Sequence, residues 1–138
     1  MTPSTKVFSL LSLSGAIGMI LAKSDDERIS WRGKKLQEAG IKATMEHPYS
    51  HIDASKIKQI EKKVNEICQD AENINIVETL SFLLCGLVDL RAHMKPSNWL
   101  YLDPVLRRVQ WAMDLFDDHD NEYFHIEAYR RYEKWVTT

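Results

Sequence analysis

Apolar positions along this chain recur at helical spacing, and no run alternates convincingly with the period of a strand. The clearest segment places Ile57, Ile60, Val64, Ile67, Cys68 and Ala71 on one seam, with lysines and glutamates filling the other side. Ser50 and Asp53 are both acceptable caps for it. Residues 76–94 are apolar nearly all round, from Ile76 through Leu80, Leu83, Leu87 and Leu90, which predicts a helix buried on several sides. Asn75 and Glu78 have capping-box spacing at its start, and Lys95-Pro96-Ser97-Asn98 breaks it.

Other boundaries follow from start and stop signals. Ser24 and Glu27 form a second capping-box spacing, with Asp25 and Asp26 adding negative charge at the positive end of the dipole. That helix is expected to run to about Ala39 and to stop at Gly40, a residue free to adopt the left-handed conformation. Gly33 lies on its apolar side, where it permits close contact. Residues 41–52 read as a connector with room for a short helical turn. Asp103-Pro104 predicts a further helix start, with Val105, Val109, Ala112, Met113 and Phe116 forming its seam. A last helix is expected over about 121–136.

Val7–Ala22 is an uncharged run of sixteen residues. A bilayer span wants about 20 apolar residues, and this run is also interrupted by serines and glycines. It further resembles the apolar region of a secretory signal, although only Lys6 precedes it closely. A third reading is a helix lying on a membrane surface. Ser14, Gly18 and Ala22 recur every four residues and leave one face nearly bare, which suits close helix packing. A buried helix is the favoured reading, with a signal or anchor as its alternative.

The pattern therefore predicts an all-α, single-domain bundle over 1–138, with about five helices around the central apolar helix at 76–94. Composition agrees: 44% of residues are hydrophobic and 28% charged, too apolar a mix for a wholly disordered chain. Only 5 glycines and 4 prolines argue against a turn-rich β fold.

Charge narrows the partners. With 18 basic and 20 acidic residues, and a pI near 6.2, no global field gathers polyanions, so nucleic acid is disfavoured. Two cysteines make no disulfide framework.

Candidate chemistry is sparse. His47 and His51 are spaced to share a metal on a helix only if Pro48 is its first residue. Glu122 and His125 give one copy of a spacing that di-iron bundles use twice. The acids from Asp114 to Glu122 lack the glycine and glutamate positions of a calcium loop. Neither a phosphate-cradling glycine loop nor a nucleophile elbow is present. No cofactor or metal is expected.

Nine of the thirteen aromatic residues fall in the last 40 positions, among several arginines. Trp, Tyr and Arg are enriched at interface hot spots. Arg107, Arg108, Arg130, Arg131 and Trp135 are accordingly the candidate partner-contacting residues. The resulting expectation is a cytoplasmic, non-enzymatic protein that binds a protein partner and associates with itself. A membrane-anchored or exported domain using 7–22 is the alternative, and a metal-dependent enzyme with a scattered site is the further one.

Overall fold

Five α-helices pack into a bundle in the computed structural model, which describes residues 3–46, 54–69 and 75–116. They are α1 (Pro3–Ala22), α2 (Glu27–Glu46), α3 (Ala54–Gln69), α4 (Ile76–Ala92) and α5 (Trp99–Met113). Short 3-10 turns at Pro96–Asn98 and Asp114–Phe116 flank α5. No strand occurs among the described residues. The all-α bundle is as the hydrophobic periodicity predicts.

The centre lies elsewhere than expected. α1, and not the apolar helix at 76–94, packs against all four other helices. α4 rests on α5 and α1, and its Val88 is 49% exposed. Its inward row is Leu80, Leu83, Leu87 and Leu90, while Leu84 is half-buried. In this structure α1 lies largely buried within the bundle. Leu10, Leu11, Leu13 and Ile17 are essentially inaccessible. Ser14 is also fully buried, and its hydroxyl donates to the Leu10 carbonyl at 2.7 Å, so no polar group is stranded there.

α1 and α2 form an antiparallel hairpin in which the two backbones touch. A Cβ at Gly18 would lie 2.4 Å from the Gln37 nitrogen, and one at Gly33 would lie 2.4 Å from the Ala22 nitrogen. At Gly40 it would meet the Gly15 nitrogen at 2.7 Å. Gly33 thus permits the close contact expected of it. Gly40 does not end the helix: α2 continues to Glu46, and no described glycine has a positive φ. Its local signal is that of a terminator, but its role is tertiary, because only a hydrogen side chain fits against α1. Residues 41–46, expected as connector, are helical for the same reason.

The hairpin link differs in detail from the predicted capping box. α2 begins at Glu27, and Asp26 is the residue whose carboxylate accepts from the Arg28 amide at 2.9 Å. Hydrogen bonds from the Arg28 side chain and amide hold the Asp26 pKa below its ordinary value. The Ser24 hydroxyl instead accepts from the Asp26 amide at 3.2 Å. Ser30 reaches across the hairpin and donates to the Ala22 carbonyl at 2.8 Å, satisfying one of the orphan acceptors at the end of α1.

α4 starts as predicted, with the Asn75 side chain accepting from the Glu78 amide at 3.1 Å. α5 starts five residues before Pro104, so Asp103 is not its cap. Pro104 lies inside the helix and forfeits the amide bond to the Leu100 carbonyl. Leu100 and Pro104 are both exposed, so the loss falls on the solvent side. What holds the extra turn is tertiary. Trp99 donates its indole N–H to the Arg91 carbonyl at 2.9 Å, and the Arg91 guanidinium lies 3.7 Å from the centre of that indole ring. Arg91 Nε also donates to Asp103 Oδ1 at 2.8 Å.

Trp99→Phe keeps a ring but removes the indole donor. The expected loss is about 1 kcal/mol, or a melting temperature lower by roughly 3 °C. A melt followed by circular dichroism measures it; an unchanged midpoint would mean that water replaces the indole at no net loss.

Candidate interaction surface

A helix that packs on one side only must present its other side to water or to a partner. α2 buries Gly33, Leu36, Gly40 and Ala43. The opposite stripe runs through Trp31, Lys35, Glu38, Lys42 and Met45, at offsets 0, 4, 7, 11 and 14. α5 buries Leu102, Val105, Val109 and Ala112, and lies beside α2. Between them runs an open groove of about 430 Å³, lined by Lys35, Lys42 and Glu46 on one wall and by Leu100, Tyr101 and Arg108 on the other.

The same two helices carry exposed large apolar side chains, of which Leu100 lines the groove. Met45 is 81% exposed, Leu100 60%, and Trp31 and Ile41 each 49%. Ile41 and Met45 line a shallower depression on the outer side of α2. Elsewhere between α2 and α5, Trp31 meets Trp111 edge to face, with ring centroids 4.6 Å apart and planes at 83°. Arg32 lies over the Trp111 ring at 4.7 Å and Arg108 at 5.9 Å, while Lys35 lies 5.7 Å from the Trp31 ring. On α2, Lys35 pairs with Glu38 at 3.6 Å and Lys42 with Glu46 at 4.0 Å, both open to solvent.

Of the residues singled out from sequence, Arg107 is exposed on α5 and away from its buried seam. Arg108 is half-buried along Trp111 and forms part of the groove wall. Arg130, Arg131 and Trp135 lie outside the described residues, as do His47, His51, Glu122 and His125. Trp31, Ile41, Met45 and Leu100 were missed. The signal for Trp31 and Met45 exists, since their stripe is continuous once α2 is allowed to pass through Gly40.

Nucleophile chemistry finds little support. Cys68 and Cys85 are half-buried thiols, and burial raises both pKa values above the ordinary range, which disfavours the thiolate. Among the described residues no three of His, Cys, Asp and Glu are grouped to hold a metal.

No known family matches the sequence, and neither a curated protein nor a solved structure matches the chain. The fold and surface therefore define a class no finer than an all-α bundle with a half-apolar groove.

Proposed function

We propose that this chain is a non-enzymatic helical interaction protein that binds a protein partner and also itself, using the α2–α5 face. The observation that carries the reading is the exposure of Trp31, Met45 and Leu100 on α2 and α5, with Leu100 on the groove wall, while the core of the same two helices is tightly closed. Exposed apolar patches rimmed by charge are characteristic of association surfaces. Aromatic, Met and Arg side chains, all present here, are the types enriched in interface cores. The same reading proposes a cytoplasmic protein, in keeping with two reduced cysteines.

Met45→Glu combined with Leu100→Glu tests it. Both positions are exposed, so the melting temperature should stay close to wild type. Sedimentation velocity should show the wild type associating with rising concentration and the double variant remaining monomeric. A wild type that stays monomeric up to its solubility limit would remove self-association from the proposal.

A second reading has its own observation. Thr5–Ala22 is long and apolar enough to cross a membrane, yet most of it is buried inside the bundle. Membrane insertion would require α1 to leave α2, α3, α4 and α5 together. Cell fractionation with intact-mass measurement separates a membrane-anchored or processed form from a packed, uncleaved one.

A further inference from the structure

The face has a second region about 21 Å from Met45 along α2, at 1.5 Å per residue. Here Arg32 and Arg108 converge on one indole ring, at 4.7 and 5.9 Å from its centre. Nearby carboxylates are already engaged: Glu38 with Lys35 and Asp26 with Arg28. Neither Arg32 nor Arg108 has a carboxylate partner among the described residues. Arg32 Nε is buried with no acceptor, and Nη1 reaches only the Arg28 carbonyl, at 3.4 Å. A guanidinium stacked on a ring keeps its in-plane donors free for a planar anion. Beside this pair stands the half-exposed ring of Trp31.

We propose that the Trp31–Trp111–Arg32–Arg108 cluster binds a carboxylate-rich peptide segment of a partner protein, its acidic side chains on the arginines and an apolar neighbour on Trp31. This rests on the interaction-protein reading and specifies the partner's chemistry. Two guanidiniums at 4.7 and 5.9 Å from one ring centre make a locally positive site, and carboxylate accepts from each in a bidentate fork. Charge distribution favours a short acidic segment over a nucleic acid. Glu27 and Glu38 are exposed on α2, Asp25 and Asp26 precede it, and exposed Asp114 follows α5, so a continuous phosphate backbone meets repulsion that a short peptide avoids.

The experiment titrates the full-length protein with a blocked alternating Glu-Leu peptide and follows the indole N–H resonances by NMR. An isosteric Gln-Leu peptide and a short oligothymidylate are the comparison probes. The Glu-Leu peptide should shift the Trp31 and Trp111 signals and leave Trp99 in place. Arg108→Gln should weaken binding about tenfold, as should Arg32→Gln, each removing a charge-assisted contact. If Arg32→Gln lowers the melt, Arg108→Gln decides, since Arg108 only lies over the ring and lines the groove. Equal binding of the Gln-Leu peptide, unchanged affinity in Arg108→Gln, absence of shifts, or tighter binding of oligothymidylate would each overturn the proposal. Loss of peptide binding with intact self-association through Met45 and Leu100 would sink this inference alone. Peptide binding by a strictly monomeric wild type would sink the self-association reading alone.

Discussion

Gly18→Ala should lower the melting temperature, whereas Gly15→Ala, three residues earlier in the same helix, should raise it. Replacing an interior helical glycine by alanine is intrinsically favourable by about 1 kcal/mol. At Gly15 nothing opposes that gain, because an added Cβ would have its nearest neighbours at 3.9 Å, an ordinary contact. The midpoint should rise by roughly 3 °C. At Gly18 the same methyl would meet the Gln37 nitrogen at 2.4 Å and the Gly33 carbonyl oxygen at 2.8 Å. Both are backbone atoms of α2, which cannot rotate aside as a side chain would. The helices must separate, and every contact along the hairpin loosens. Overpacking of this kind costs about 1–3 kcal/mol and sometimes more. A net loss of about 2 kcal/mol, or roughly 6 °C, is expected. Calorimetry of the two variants beside wild type gives the answer. A Gly18→Ala protein as stable as Gly15→Ala would mean that α1 and α2 are not in backbone contact.

Removing residues 1–22 should abolish cooperative folding. α1 supplies Val7, Phe8, Leu10, Leu11, Leu13, Ile17 and Leu21, seven of the twenty buried apolar side chains among the described residues. Burying such a side chain is worth about 1.5–3 kcal/mol. Seven of them match or exceed the net stability of a typical domain, about 5–15 kcal/mol. Their partners on the other four helices would also face water, so the shortened chain should aggregate or bind hydrophobic dyes. Size exclusion and a thermal melt suffice as readouts. A truncated protein that stays monomeric with a sharp, undiminished transition would identify 7–22 as a segment the fold does without.

The sequence was most legible where a local signal and the tertiary environment agree. The α3 seam and the Asn75 cap of α4 are of this kind, because periodicity and capping need only neighbours a few residues away. Gly40 and Asp103-Pro104 show where local reasoning ran out. Glycine after an apolar stripe and proline after an aspartate are common boundaries, but here close approach to Gly15 and the Arg91–Trp99–Asp103 contacts override them. The misplaced centre has a similar cause. Counting apolar residues favours 76–94, whereas centrality in this bundle depends on how closely neighbours can approach, and α1 has the smaller residues. The groove was partly legible: Arg108 lies on it, but its α2 wall was hidden by ending that helix at Gly40.

The α1–α2 hairpin also bears on kinetics. Its two strands of contact are joined by only residues 23–26, so they form with little loop-closure entropy, and local contacts of this sort make for fast folding. The hairpin is then the natural nucleus onto which α5, α4 and α3 condense. In a chevron experiment Gly18→Ala should act chiefly on the refolding limb, with a φ-value nearer 1 than 0. A substitution in the α4–α5 latch, such as Trp99→Phe, should instead act on the unfolding limb. The glycines that let two backbones touch would thus set the order of assembly as well as the packing of the finished bundle.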